Sequence, residues 1–320
     1  MRACLLVLSL LIPSVVQVHA ADFMNKVHFM IPAGPGGGWD GTARGVGLAL
    51  NEANLTGHTT FENIAGGGGG RAIAKLIETA DRQQNTLLIS STPIIVRSLQ
   101  GIFPQSFRDL VPIAAMIADY GCFAVRPDSN VQSFADLAER FEKDPRSVIV
   151  AGGSVRGNTD HFVFAKALQL VGADPKPLIY LGYDGGGKAA TGLLSGEALV
   201  LSTGLSEALQ LHRAGLLRII GVTAGSKIPD LPDLPTLREQ DIDLVFANWR
   251  GFFAAKGLPA TQYTKMQNTL RAVSQSSEFD AIRRRNGWID LHVEGEAFYR
   301  FLEQQETQIK SLMQSIGYLH

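Results

Sequence analysis

Short apolar runs alternate along this chain with glycine-rich or polar turns and with segments that carry apolar residues at helical spacing. Near the N-terminus, apolar runs of strand length cover residues 27–31, 59–64 and 86–91. Helical patterns cover residues 42–53 and 72–79 between them. This alternation predicts a β-α-β-α-β unit with a largely parallel sheet. The third strand is expected to end in a polar loop.

The same alternation returns in the middle of the chain and predicts a second α/β unit. Its strands are predicted at residues 147–150, 178–181, 198–201 and 217–222. Two more strands, at 111–118 and 122–125, are expected on either side of Tyr120 and Gly121. Helices are expected at 133–143, at 161–171, and after the strands that end near 181 and 201.

The C-terminal part supplies one strand pattern, at 246–255, and three helical patterns near 259–275, 277–286 and 295–316. These helices lack a full set of strands, so we expect them to pack on the first unit. The prediction is a discontinuous first lobe, residues 21–121 plus 248–320, and a second lobe, residues 122–247. Two crossings between lobes are what a hinge requires.

The glycine-rich turns carry the functional interpretation. Gly36, Gly37 and Gly38 follow the first predicted strand and precede a helix, as does a second glycine run at 66–70. Glycine lets the backbone approach a guest closely, and the unpaired N–H groups and dipole of a helix N-terminus favour an anion. In parallel sheets such turns lie beyond the carboxyl ends of the strands. The pattern therefore predicts an anion site, for a carboxylate as readily as for a phosphate.

The first 20 residues have the pattern of a cleaved export signal. Arg2 precedes an apolar core at residues 5–18, and small residues end the segment at Ala20. The core is too short for a membrane span. Cleavage after Ala20 leaves 28 basic and 30 acidic residues, with Cys122 as the only cysteine. We therefore expect an exported protein with no disulfide, no Cys/His metal site and no nucleic-acid surface.

A P-loop is the first enzymatic alternative. Gly182, Gly187 and Lys188 follow its spacing after a predicted strand. Ala189, however, stands where the magnesium-binding hydroxyl belongs. The sequence disfavours an NTPase.

A secreted serine hydrolase is the second alternative. Ser154, Asp160 and His161 would be its triad, although adjacent residues on a helix point in different directions. The plainer interpretation is that Asn158, Thr159 or Asp160 caps the helix and that His161 lies in its first turn.

Asp40 sits beside the predicted anion site with the wrong charge for a guest anion. Its simplest roles are the N-cap of the following helix and a pair with Arg44. Trp39 either forms a wall of the site, stacking on an uncharged or aromatic ligand, or belongs to the core. Among the cations, Arg71 and Arg156 lie within polar turns, where either could pair with a carboxylate, and Lys188 is a third candidate.

Seven short motifs occur in a fixed order along the chain. They lie at residues 35–44, 152–161, 180–182, 196–197, 214–218, 234–236 and 249–251. Together they resemble the extracytoplasmic receptors of tripartite tricarboxylate transporters, also called Bug-type receptors. The resemblance covers nearly the whole chain after residue 20. It implies a type II periplasmic-binding-protein fold: two α/β lobes, joined by two crossover segments, with a ligand cleft between them. It also implies binding without catalysis.

The resulting hypothesis is a monomeric periplasmic receptor that closes on a small carboxylate, with citrate or a related tricarboxylate first, and uses no cofactor or metal. It would deliver the solute to the membrane permease subunits of a tripartite transporter; presentation to a sensor kinase is an alternative. The residues expected to bind the ligand are Gly36, Gly37, Gly38, Trp39, Asp40, Ser91, Thr92, Gly153, Ser154, Arg156, Asn158, Thr159, Asp160, Tyr183 and Thr203.

Overall fold

Ten strands and ten α-helices make up the part of the chain that the computed structural model describes, residues 23–315 and 317–319. The predicted export signal lies outside these residues. The strands are β1 Lys26–Ile31, β2 His58–Asn63, β3 Thr86–Ser91, β4 Val111–Val125, β5 Ile149–Gly152, β6 Ile179–Gly182, β7 Val200–Gly204, β8 Arg218–Val222, β9 Ala247–Ala254 and β10 Ile289–Glu294. The helices are α1 Gly38–Glu52, α2 Gly70–Glu78, α3 Thr92–Leu99, α4 Phe134–Lys143, α5 Thr159–Leu170, α6 Gly186–Leu194, α7 Leu205–Arg213, α8 Ala260–Ser274, α9 Ser277–Arg285 and α10 Gly295–Ser315. None of these helices is both long enough and apolar enough to cross a bilayer.

One mixed sheet runs through the molecule in the order β2-β1-β3-β9-β4-β7-β5-β6, and β8 and β10 also pair with β4. We call β1, β2, β3, β9, β10 and residues 111–120 of β4 the first half of the sheet. The second half consists of residues 121–125 of β4 with β5 to β8. Within each half the βαβ strands pair in parallel, whereas β4 pairs antiparallel with all its partners. The lobe boundaries at 121 and 248 stay a prediction.

Strand β4 is continuous, so the expected break at Tyr120 and Gly121 was wrong. Its first ten residues pair with β9, and from Gly121 onward it pairs with β7 and β8. Thr223 holds Gly121 in an extended conformation through two hydrogen bonds. The Thr223 hydroxyl accepts a hydrogen bond from the Gly121 N–H at 2.8 Å, and the backbone N–H of Thr223 donates to the Gly121 carbonyl at 2.9 Å. A glycine weakens a strand locally, but these partners, about a hundred residues away, compensate.

The three C-terminal helices pack on the first half of the sheet, as predicted. Met266 and Leu270 of α8 and Phe279 of α9 share a buried cluster with Phe29 of β1 and Phe252 of β9. On the opposite face, apolar residues of α10 join those of α2, α3 and β3. The sequence pattern missed β10, which pairs antiparallel with β4 between α9 and α10.

Helices α4 to α7 cover the second half. Phe134 of α4 and Phe164 of α5 pack with Phe123 of β4 on one face. Leu193 of α6 and Leu209 of α7 lie in the cluster on the other. Helices α5, α6 and α7 follow the carboxyl ends of β5, β6 and β7, which is where ligands bind in such sheets.

Candidate functional site

A cleft of about 470 Å³ lies between the two halves of the sheet, a size typical of small-molecule sites. Both halves line it. Most of the residues that the sequence predicted as ligand-binding lie on its wall: Gly37, Gly38, Trp39, Ser91, Gly153, Ser154, Asn158, Thr159, Asp160, Tyr183 and Thr203. That they touch a ligand stays a prediction.

The first wall is built on the N-terminus of α1. This helix begins at Gly38, four residues earlier than predicted, because the Gly41 N–H donates to the Gly37 carbonyl at 2.9 Å and closes the first turn. Gly37 and Gly38 therefore present their backbone to the cleft. A Cβ at Gly38 would collide with the guanidinium of Arg250. The Trp39 indole N–H donates to Ser91 Oγ at 2.9 Å, which joins α1 to the end of β3.

Asp40 does not cap α1, because it lies within the first turn of the helix after Gly37 at the N-cap. It also does not line the cleft. Its carboxylate turns back and accepts hydrogen bonds from the Gly36 N–H at 3.0 Å, from Arg44 Nε at 2.9 Å and from the Asn63 amide at 3.0 Å. Burial opposes ionisation, but these three donors outweigh it and lower the pKa of Asp40. Asp40 thus holds the glycine turn in shape, and the predicted pair with Arg44 is confirmed.

Three further predicted residues lie off the wall of the cleft. Gly36 forms the turn, with a φ of +85° that favours glycine. Thr92 is buried as the first residue of α3, a helix that replaces the predicted loop and carries Pro93 in its first turn, where proline is tolerated. The side chain of Arg156 is exposed.

The other two candidate cations do not line the cleft either. Arg71 is exposed on α2. Lys188 on α6 pairs with Asp184 at 3.6 Å. Neither side chain is part of the wall of the cleft.

The second wall is built on the N-terminus of α5. Asn158 is its N-cap and accepts the Thr159 N–H at 2.8 Å, and His161 lies in the first turn, as the plainer interpretation predicted. Ser154 Oγ accepts the Asp160 N–H at 3.1 Å. Its side chain is therefore part of the turn before α5 and faces the cleft.

His161 and Ser154 are not hydrogen-bonded to each other. Nδ1 of His161 accepts the Gly157 N–H at 3.1 Å, and Nε2 lies 3.0 Å from the Tyr318 hydroxyl. Because Nδ1 is an acceptor, Nε2 carries the proton and donates to Tyr318. Burial lowers the pKa of His161 to about 4, with a smaller contribution from Arg156. This neutral, fully engaged imidazole is not oriented as a base for Ser154.

Asp160 is the unusual carboxyl group of the cleft. It faces the cleft and forms no ion pair with any residue that the structure describes. Burial and then the charge of Glu207 raise the pKa of Asp160 to about 7. Near neutral pH the group is therefore poised between a neutral hydrogen-bond donor and an anion.

Glu207 is a central residue of the cleft that the sequence interpretation missed. One carboxylate oxygen, Oε1, accepts the Gly38 N–H of α1 at 2.8 Å and the Gly186 N–H of α6 at 3.0 Å. The other oxygen, Oε2, accepts the Thr203 hydroxyl at 2.8 Å and the Gly204 N–H at 3.2 Å. A single side chain thus occupies the N-termini of two helices, one from each half of the sheet. Its spacing of three residues after Gly204 is a capping-box signal, which predicts the local bonds but not the distant one.

Asp119 and Arg250 form the second feature that was missed, a buried ion pair at 2.8 Å. Arg250 also donates to the Thr42 hydroxyl at 3.0 Å, and Asp119 accepts a hydrogen bond from the Ser206 N–H at 3.2 Å. Burial raises the pKa of Asp119 in spite of the attraction of Arg250. Arg250 lies in one of the seven motifs, at residues 249–251, which was the available signal for it.

No group of three or more His, Cys, Asp or Glu side chains within the described residues is placed to hold a metal ion. The chemistry on the wall consists instead of helix N-termini, hydroxyls, carboxyl groups and one guanidinium, with Trp39, Tyr120 and Phe246 as aromatic neighbours. Such a wall can bind and orient a small polar molecule.

Comparison with known proteins agrees with this architecture. The family described as tripartite tricarboxylate transporter family receptor, TctC, matches residues 43–318. A relative is the UPF0065 protein in the tcbD-tcbE intergenic region of Pseudomonas sp. strain P51, 26% identical over 265 residues that cover 81% of this chain and 77% of that protein.

Two solved structures show the same fold. The periplasmic binding protein BugD has a TM-score of 0.82 at 21% identity, and the match covers 92% of this chain and 98% of that one. R. palustris Rpa4515 with adipate also has a TM-score of 0.82 at 21% identity, with 91% and 97% covered. The fold is thus that of periplasmic solute-binding proteins, and the resemblance carried by the seven motifs is confirmed. The chain belongs to the TctC family of tripartite tricarboxylate transporter receptors, which are substrate-binding proteins of the periplasm and not an enzyme family.

Proposed function

We propose that this protein is a periplasmic receptor that captures a small carboxylate in the cleft and delivers it to the permease of a tripartite tricarboxylate transporter. The observation that carries the proposal is the cleft itself, where helices from both halves of the sheet direct their N-termini inward. The dipole at the N-terminus of a helix favours a carboxylate at such a point. Family membership supports the permease as the partner, in preference to a sensor kinase.

The ligand is taken to be an organic acid. Tricarboxylates, with citrate first, are candidates because the family name refers to tricarboxylate transport, and adipate is bound in one structural neighbour. A ligand that touches both halves would favour the closed arrangement by the difference between its affinities for the closed and open forms. Export would follow from cleavage after Ala20, as the sequence predicts.

Binding rather than hydrolysis is the better account of Ser154. Its hydroxyl accepts a backbone N–H at the start of α5, and the two ring nitrogens of His161 are engaged elsewhere. A serine without an oriented base is a weak nucleophile.

Thermal unfolding against a panel of acids tests the proposal. The panel comprises citrate, isocitrate, tricarballylate, malate, succinate, adipate, glutamate, nicotinate and phosphate. A ligand at about 100 times its Kd adds about 2.7 kcal/mol of stability. For a chain of this size we expect the midpoint to rise by roughly 2–4 °C per kcal/mol.

A matched pair of variants shows whether the shift comes from the cleft. Ser91→Ala removes a hydroxyl from the wall, whereas Ser277→Ala removes one from the exposed start of α9. The first should reduce the ligand-induced shift and the second should leave it intact. If no organic acid shifts the midpoint, the carboxylate proposal fails.

A further inference from the structure

The side chains that line the cleft carry an excess of negative charge. Among the described residues on its wall, Asp119, Asp160, Asp184 and Glu207 are acidic, and Arg250 is basic. With every group ionised, the formal charge of this lining is −3. A receptor for an anion would therefore have to bind it against its own field, unless helix N-termini and the guanidinium are free to compensate.

The guanidinium group of Arg250 already has hydrogen-bond partners within the protein. Arg250 donates to Asp119 at 2.8 Å and to the Thr42 hydroxyl at 3.0 Å, and it is buried. Of the three guanidinium nitrogens of Arg250, only Nε is buried without a hydrogen-bond partner among the described residues. One unpaired donor on an already neutralised cation can support one carboxylate of a ligand, not three.

The helix N-termini are also partly committed. Glu207 Oε1 accepts N–H groups from Gly38 of α1 and Gly186 of α6, at 2.8 and 3.0 Å. The point where the two halves of the sheet would together hold a ligand carboxylate is therefore filled by a carboxylate of the protein. Asp160 lies in the first turn of α5, lines the cleft there and has no ion-pair partner among the described residues.

Other cations near the cleft reduce this excess but do not remove it. Lys188 pairs with Asp184 at 3.6 Å, which reduces the formal charge from −3 to −2, and Arg156 is exposed and off the wall. Arg97 of α3 lies beside Gly68, a residue of the wall, and donates a hydrogen bond to Gln100 at 3.2 Å. None of the three lines the cleft.

We propose that Glu207 and Asp160 form a charge filter, so that this receptor takes mono- or dicarboxylates and discriminates against tricarboxylates. Glu207 is then a specificity-determining residue as well as a bridge between the halves. The inference rests on the proposed function, since it presupposes that the cleft binds a carboxylate. It narrows the substrate class beyond what the family description names.

The test is a ladder of acids that differ mainly in charge: butyrate, glutarate and tricarballylate, which carry one, two and three carboxylates. Binding is measured by calorimetry at pH 8, where Asp160 is ionised, on protein exported from the full-length chain. We expect the Kd of tricarballylate to exceed that of glutarate by on the order of a hundredfold. The third carboxylate adds two pairs of like charges, one with Glu207 and one with Asp160, and each pair is worth on the order of tenfold at roughly 12 Å and an effective dielectric constant near 20.

Two variants remove one charge each. Glu207→Gln keeps the shape and one acceptor, and Asp160→Asn removes a charge that takes no part in the bridge between the halves. Each should lower the ratio of the two Kd values by on the order of tenfold. Glu296→Gln, which neutralises an exposed acid on α10, should leave the ratio unchanged. Asp160→Asn keeps the test decisive if Glu207→Gln disturbs folding.

The outcomes separate the two proposals. Tighter binding of tricarballylate than of glutarate by the natural protein, or a ratio that neither variant changes, would overturn the charge filter and leave the carboxylate receptor standing. Absence of binding by all three acids and by every organic acid of the thermal panel would refute the proposed function, and the filter with it. A ratio that falls in both variants and not in Glu296→Gln supports the filter.

Discussion

His161 shows how burial decides the state of a single side chain. Its sequence position invited a catalytic role, but the ring is buried against Tyr180 and Tyr318 and both nitrogens are hydrogen-bonded. With its pKa lowered to about 4, the folded protein holds it neutral where an unfolded chain would bind a proton.

The pH dependence of stability should report this neutral histidine. A depressed pKa in the folded state means that its contribution is fully present above pH 6.5 and is lost as the pH falls towards 4. Between pH 7 and pH 4 we expect the free energy of unfolding of the natural protein to fall by about 3 kcal/mol more than that of His161→Gln. Urea titrations at each pH measure this, with His58→Gln, an exposed site, as the control. Parallel pH profiles for the natural protein and His161→Gln would contradict the assignment.

The contribution of the Arg250–Asp119 ion pair to the free energy of unfolding depends on the presence of both partners. Because the pair is buried, Arg250→Met should leave the carboxylate of Asp119 buried without its cation and lower the free energy of unfolding by about 3–5 kcal/mol. Arg238→Met, which breaks an exposed pair with Asp243, should cost less than about 1 kcal/mol. The double variant Arg250→Met with Asp119→Leu should recover part of the loss. Equal losses for the buried and exposed pairs, measured by denaturant unfolding, would argue against this account.

At the scale of elements, the glycines that begin the helices matter for contact between backbones. A Cβ on Gly153 would lie 2.5 Å from the Gly186 nitrogen and 2.7 Å from its Cα, so the turns before α5 and α6 can approach only without side chains. Gly41 in the exposed surface of α1 has no atom within 4 Å of the corresponding position. Close packing therefore requires glycine at position 153, whereas no packing contact requires it at position 41.

Replacing Gly153 and Gly41 by alanine should therefore change the stability of the protein in opposite directions. Gly153→Ala should destabilise by about 1–3 kcal/mol, because backbone atoms cannot move aside as a flexible side chain can. Gly41→Ala should stabilise by about 0.4–1 kcal/mol, since alanine restricts the unfolded chain and suits a helix. Thermal midpoints of the two variants check the signs. A neutral Gly153→Ala would show that the turns are not in close contact in solution.

At the scale of the whole molecule, a few polar contacts hold the two halves together across the cleft. Besides Glu207, Gln100 at the end of α3 donates to the Gly157 carbonyl before α5 at 2.6 Å. On another side, the Tyr318 hydroxyl meets His161. Asp119 of β4 also accepts the Ser206 N–H of α7 at 3.2 Å. Because these bridges are individual hydrogen bonds, we expect the ligand-free protein to exchange between this bridged arrangement and more open ones.

Gln100→Ala should shift that exchange towards open forms. We expect a larger radius of gyration by small-angle X-ray scattering for the ligand-free variant, and a weaker apparent affinity because less of the protein is competent to bind. Saturating ligand should bring both proteins to the same compact profile. Gln308→Ala, at an exposed position on α10, is the control. Identical profiles for the natural protein with and without ligand would refute the closing motion.

The sequence by itself determined the features that depend on neighbours along the chain. The strand, glycine turn and helix units, a polar cap within residues 158–160 and the pairing of Asp40 with Arg44 all follow from residues a few positions apart, whose interactions survive in almost any tertiary setting. For the same reason eleven of the fifteen expected residues line the cleft, since turns after parallel strands must gather at one edge.

Only the tertiary structure decided the rest. The continuity of β4 through Gly121 depends on Thr223, and the start of α1 at Gly38 belongs to a turn that Asn63 helps to fix through Asp40. The charges of the cleft depend on still more distant partners: 131 residues separate Arg250 from Asp119, and 169 separate Glu207 from Gly38. Local patterns cannot specify such pairs, because a buried charge is stabilised only by the particular groups that the fold brings to it.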